Sequence, residues 1–168
     1  PIKSSAASDV YKRQAGILGD MSKNLGDDLD FDEIMRVINV NAIGALRITN
    51  ALSLLVLNST EKTIVNISSE AGSIADCWRT GWFGYCMSKA ANNMQSALVH
   101  NNIRELGGKL FAIHPGHVAT YMRGHLDTTA KITPDVSAEG ILYVVLDTPH
   151  PINSRPLYLD YTGKELPW

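Results

Sequence analysis

A serine, a tyrosine and a lysine open the chemical reading of this chain. Ser69 follows a short β-branched run, Ile64-Val65-Asn66-Ile67. A loop with Gly72, Trp78, Gly81 and Trp82 comes next and ends in Tyr85-Cys86-Met87-Ser88-Lys89. On a helix, Tyr85 and Lys89 stand one turn apart on the same face. An ammonium beside a phenol favours the phenolate and lowers a pKa that is about 10 when unperturbed. A tyrosine tuned in this way passes protons near neutral pH.

The elements that must position these residues follow from periodicity. Thr63 to Ser68 reads as a strand of the kind buried on both faces in a parallel sheet. Asp32 to Asn58 reads as one long helix, capped by Asp30 or Asp32. Its buried stripe is Ile34, Ile38, Asn41, Ala45, Ile48, Leu52 and Leu55. Asn41 lies in that stripe, and a buried amide costs free energy unless its hydrogen bonds are met. It is either a satisfied structural residue that bends the helix or an amide facing a site.

Tyr85 to Leu106 reads as a second helix with Met87, Ala90, Ala91, Met94, Ala97 and Leu98 on its apolar side, ended by Gly107-Gly108. Leu110 to Ile113 is the next strand, broken at Pro115-Gly116. Asp127 to Val136 reads as loop or short helix. Ser137 caps a third helix through Leu146, and Leu157 to Leu159 is a last short strand. This succession predicts an α/β fold with a parallel sheet in one domain.

Composition narrows the function classes. The net charge is -2 and no basic stripe is visible, which excludes the usual footprint of a nucleic-acid partner. Apolar runs are interrupted within a few residues, short of the ~18 that suggest a membrane span. Cys77 and Cys86 lack metal-ligand or CxxC spacing, so a reduced, cytoplasmic setting is expected. His114, His117 and Cys86 have no accompanying ligand cluster, so no metal is expected.

Residues 1–14 differ from the rest: small and polar, with Val10-Tyr11 as their apolar patch. They resemble translated sequencing-adapter read-through, so they are expected to be a non-native or disordered tail outside the fold. Domain 15–168 is then expected to hold all the structure. Ala15-Gly16-Ile17-Leu18-Gly19 begins it with glycines suited to a tight turn or a close backbone approach.

Several motifs together resemble the short-chain dehydrogenase/reductase family. Asn39-Val40-Asn41-Ala42-Ile43-Gly44 is similar to its helix motif with a catalytic Asn. Ile64 to Gly72 is similar to the strand motif whose second Ser is catalytic. Tyr85 to Lys89 fits YxxxK, and Pro115-Gly116-His117-Val118-Ala119-Thr120 fits PGxVxT. Ala15-Gly16 resembles the end of the NNAG turn, with Arg13-Gln14 where the asparagines stand. The ending, Leu159 to Trp168, is similar to the sniffer-like carbonyl reductase and C-factor branch. The loop from Ser69 to Tyr85 is longer than in many members.

The resemblance implies a partial Rossmann-like, doubly wound parallel sheet. The N-terminal nucleotide-binding strands are expected to be absent, since Gly16, Gly19 and Gly26 lack the spacing of a dinucleotide fingerprint. It implies an NAD(P)-dependent oxidoreductase interconverting a carbonyl and an alcohol, with NAD or NADP as cofactor, present as a truncated chain. Tyr85 would be the acid/base and Lys89 would hold the nicotinamide ribose. Ser69 would donate to the substrate oxygen, and Asn41 would hold a water in a proton relay. Ala15, Gly16, Pro115, Gly116, Val118 and Thr120 would lie on the cofactor side. Trp78, Trp82 and Phe83 would wall a substrate pocket or pack in a core or interface. The partners implied are a small carbonyl or alcohol substrate and, for the full-length protein, a second copy of the chain. A non-catalytic binding or signalling protein on the same fold is the competing expectation.

Overall fold

The computed structural model describes residues 10–13, 16–149 and 155–168, with side chains for all but 10–13. Among the described residues, four parallel strands lie side by side in chain order: β1 (Val10–Arg13), β2 (Thr63–Ile67), β3 (Lys109–His114) and β4 (Leu157–Asp160). In register, Val65 sits between Lys12 and Phe111, and Ile113 sits between Ile67 and Leu159. Parallel neighbours require long crossovers. The first is a continuous rod of α1 (Phe31–Ile38), a π-helical turn (Asn39–Ile43) and α2 (Gly44–Leu57). The others contain α3 (Phe83–Ile103) and α4 (Pro134–Asp147).

Alternation along the strands sends side chains to both faces, and each face is covered. Val65, Phe111, Ile113 and Leu159 pack with Ile141, Val144 and Val145 of α4. Ile64 and Leu110 pack with Val56 of α2 and Ile103 of α3 on the other side. This is the doubly wound α/β arrangement expected from the sequence.

The structure corrects several sequence expectations. Val10–Arg13 joins the sheet as β1, paired in parallel with β2. The expectation that set residues 1–14 outside the fold therefore does not hold for these four. An open strand edge carries unpaired N–H and C=O groups, and an extended segment beside it satisfies them. Residues 1–9 and 14 lie outside the described residues.

The buried stripe of the first rod is shifted. Val37, Asn41, Ala42, Ala45, Thr49 and Val56 are buried, while Ile48 and Leu55 are exposed. The π turn inserts an extra residue per hydrogen-bonded ring and rotates every later side chain. This rod, Phe31–Leu57, is also long and apolar enough to cross a membrane by length and composition, which no stretch was expected to be. Its two helices and π turn run continuously across residues where the sequence reads as interrupted, and they pack against α3.

Helix α3 reverses its expected face. It buries Ser88, Lys89, Asn92, Asn93, Gln95, Ser96 and His100, and leaves Met87, Met94 and Leu98 exposed. Helix α4 starts before Ser137, because Thr133 caps it through the Val136 N–H and Pro134 takes the first turn.

Phe111 is fully buried at the centre of the α4-side cluster. Phe111→Ala is expected to cost about 3–5 kcal/mol of stability, read from the urea unfolding midpoint.

Candidate active site

The strands β2, β3 and β4 end together, bringing Ser68 and Ser69, His114 and Asp160 to the carboxyl edge of the sheet. Crevices at this edge are where open parallel sheets place their ligands. Ser69 caps a short 3₁₀ turn, Glu70–Gly72, its Oγ accepting the Ala71 N–H at 3.2 Å. Gly72 lets that turn press onto α3, since a Cβ there would lie 2.8 Å from the Lys89 carbonyl oxygen. The buried polar face of α3 then ties the turn down. Ser68 donates its hydroxyl to Asn93 Oδ1, and Asn93 Nδ2 donates to the Gly72 carbonyl at 3.2 Å. From β4, the Tyr158 hydroxyl donates to the Ser69 carbonyl.

Tyr85 and Lys89 lie in the first turns of α3, on the face turned to this crevice. Lys89 is 5% exposed and donates from Nζ to the Ile67 carbonyl at 3.1 Å. Its ammonium is 5.6 Å from the centre of the Tyr85 ring. The phenol pKa differs from the sequence expectation, standing above its ordinary value rather than below. Burial is the largest cause, because it desolvates the phenolate. The hydrogen bond with Ser69 and the charge of Arg79 pull it down; the charges of Cys86 and Glu70 push it up.

Asn41 sits in the π turn with its side chain fully engaged. Oδ1 accepts the Ile17 N–H at 2.9 Å, while Nδ2 donates to the Ile17 carbonyl at 2.8 Å and to Ser88 Oγ at 2.9 Å. Ser88 in turn donates to the Tyr85 carbonyl at 2.7 Å. Both amide protons are therefore committed within the chain. What the side chain does is hold the Gly16-Ile17 strap against the start of α3.

One cavity of about 660 Å³ joins these groups. Ser69, Tyr85 and Lys89 line it together with Gly16, Pro115, Gly116, Val118 and Thr120. Ala15 lies outside the described residues. Gly116 needs its glycine: φ is +84°, and a Cβ would lie 2.7 Å from Ile132 Cδ1. The Pro115 carbonyl accepts from Ser137 Oγ at 2.7 Å, fixing the turn to α4. Of the three aromatics considered, Trp82 lines the cavity, Trp78 is exposed, and Phe83 faces a small separate hollow under Val37.

The structure adds residues that the motifs did not mark. Arg79 and Glu70 form an ion pair at 2.7 Å on the cavity wall. His117 Nε2 meets Asp127 Oδ2 at 2.9 Å, and Asp127 also accepts from Thr129, so its carboxyl stays well below the usual range. His114 is held below the ordinary imidazole value, chiefly by burial. Glu70 adjoins Ser69 and was in view, but nothing in the loop sequence singles out Arg79.

The match to known proteins agrees with this geometry. The family model described as short chain dehydrogenase fits residues 9–131. The chain belongs to the short-chain dehydrogenase family. C-signal of Myxococcus xanthus is 35% identical over 160 residues, covering 95% of this chain and 92% of that one. The NADPH-bound carbonyl reductase from chicken fatty liver superposes with a TM-score of 0.77 at 32% identity, over 94% of this chain and 64% of that one. Carbonyl reductase Sniffer of D. melanogaster has a TM-score of 0.82 at 20% identity over 95% of this chain, a likeness of fold. The chain spans about two thirds of the length of these solved structures.

Tyr85 and Tyr158 both titrate above the ordinary phenol value, each mainly through burial. A raised folded pKa adds stability below the unfolded value of about 10 and loses it as pH rises through the folded one. Urea midpoints are expected to fall as pH is taken above about 10, and less steeply in Tyr85→Phe.

Proposed function

We propose that this chain carries the proton-transfer residues and nicotinamide side of an NAD(P)-dependent oxidoreductase acting on a small carbonyl or alcohol. The observation that carries the reading is the convergence of Ser69, Tyr85 and Lys89 on a cavity whose opposite wall is the 115–120 turn. The residues suit a nicotinamide end. Gly116 leaves no room for a Cβ and keeps the backbone close, and Lys89 brings a buried ammonium to the same wall. Lys89 would hold the ribose hydroxyls, with Pro115, Val118 and Thr120 beside the carboxamide and Gly16 at the strap. The bound dinucleotide supplies or accepts the hydride.

Within this reading Tyr85 gives its proton to the substrate oxygen as negative charge develops there. Its raised pKa keeps it protonated at neutral pH, the form an acid requires in the direction of carbonyl reduction. Ser69 donates a hydrogen bond to the same oxygen, from a position fixed by its cap and by Tyr158. Asn41 acts through structure, locking the Ile17 strap and Ser88 behind Tyr85. In the family the pyrophosphate and adenosine are held by strands upstream of the place β1 occupies.

A second reading draws on C-signal, which matches over nearly its whole length. A protein on this fold could act through surface contacts alone. Turnover separates the two readings.

The reading also includes a homo-oligomer. The exposed Met87, Met94 and Leu98 of α3 give an apolar face that a second copy would cover.

NAD(P)H oxidation with ketones and aldehydes should be measured for this chain and for the chain extended with its upstream gene sequence. In the active protein, Tyr85→Phe is expected to lower kcat about 10²–10⁴-fold, and Ser69→Ala about 10²–10³-fold. An inactive extended protein, or a silent Tyr85→Phe, would favour the signalling reading. Light scattering after size exclusion is expected to show a dimer that Met94→Glu converts to monomer; an unchanged mass would remove the α3 face as the interface.

A further inference from the structure

Arg79 stands in the loop between Ser69 and Tyr85, nine-tenths buried, with 9% of its side chain exposed. Its guanidinium lies 4.5 Å from the Trp78 ring centre and 5.1 Å from that of Trp82. One Nη donates to Glu70 Oε1 at 2.7 Å. Its Nε is buried and has no hydrogen-bond partner, so Glu70 and the two indoles hold it in place. Each of these contacts leads to the site. Glu70 directly follows Ser69 and opens the turn that Ser69 caps. Trp82 packs edge-on against Tyr85, with ring centres 6.3 Å apart, and holds a strained backbone φ of +63° at the start of α3.

We propose that Arg79 is a positioning residue for the reaction: through Glu70 and Trp82 it ties the Ser69 turn to the Tyr85 end of α3 and sets a paired cation and anion beside the phenol. The proposal rests on the reading of Tyr85 as the acid. Two indole faces at 4.5 and 5.1 Å hold the planar guanidinium in place, a role that a lysine ammonium fills only in charge. The substrate oxygen must meet Ser69 and Tyr85 at once, and the loop that separates them in sequence is the element that sets their spacing.

The charges give the proposal a sign. The titratable and charged groups around Tyr85 are Lys89 and Cys86 on α3, Glu70 and Arg79 from the loop, and Tyr158 from β4. Arg79 acts to lower the phenol pKa and Glu70 to raise it. Removing the cation and removing the anion therefore move Tyr85 in opposite directions. Simple loosening of the loop would expose the phenol and lower its pKa in both variants.

The test uses the whole chain labelled with ¹³Cζ-tyrosine, with the Tyr85 resonance assigned by its loss in Tyr85→Phe and followed by NMR through the alkaline range. Arg79→Met is expected to raise the Tyr85 midpoint, Glu70→Gln to lower it, and Arg79→Lys to leave it near the parent value while losing the planar contact with the indoles. In the active protein, Arg79→Met is expected to reduce kcat roughly 10²-fold with a smaller change in KM, and Arg79→Lys to recover only part of that loss. Equal midpoints in Arg79→Met and Glu70→Gln, or shifts of the same sign, would overturn the proposal. The NMR readout needs no turnover, so opposed shifts in this chain together with an inactive extended protein would count against the oxidoreductase reading and leave the positioning geometry standing.

Discussion

The structure depends on a seam of buried polar contacts between α3 and the end of β2. Asn66 donates to Ser96, Ser68 to Asn93, Asn93 to the Gly72 carbonyl, and Lys89 to the Ile67 carbonyl. Each such bond contributes only about 0.5–1.5 kcal/mol net, but leaving one partner buried and unpaired costs about 1–3 kcal/mol. The seam therefore specifies one register between helix and strand rather than adding much bulk stability. That register sets where Ser69 stands relative to Tyr85 and Lys89.

Apolar packing serves this seam from both sides. The Phe111 cluster under α4 and the Leu110 cluster under α2 and α3 fix the sheet, and so fix the strand ends from which the site is built. The π turn contributes in the same way. It points Asn41 toward Ile17 and Ser88, so the 16–17 strap and the first turn of α3 share one anchor. The side chain of Asn41 thus serves as a structural clamp between the strap and α3.

The loop from Ser73 to Trp82 completes the enclosure. It brings Arg79 and Trp82 to the cavity and leaves Trp78 largely exposed as the outer half of a cation–π clamp. The catalytic reading thus involves two cations of different kinds. Lys89 is locked to a strand carbonyl, and Arg79 is locked to a carboxylate next to Ser69.

Much of this was legible in the sequence. The parallel α/β order, the strands around Ile64 and Leu110, and the one-turn spacing of Tyr85 and Lys89 follow from local pattern, because strand period, turn residues and the i, i+4 step are local properties; that the 115–120 turn would face Ser69, Tyr85 and Lys89 followed only from the family resemblance. Which face of α3 is buried was not legible. Periodicity places Met87, Met94 and Leu98 inward, but the strand end offers hydrogen bonds that only Asn93, Ser96 and Lys89 can meet. The drift of the α2 stripe, the pairing of Val10–Arg13, the partners of Asn41 and the place of Arg79 were decided by tertiary structure. Each depends on a contact between segments far apart in the chain, and no local spacing encodes it. The direction of the Tyr85 pKa belongs here too: sequence placed the ammonium one turn away, but burial, which only the folded chain determines, outweighs the influences that lower it.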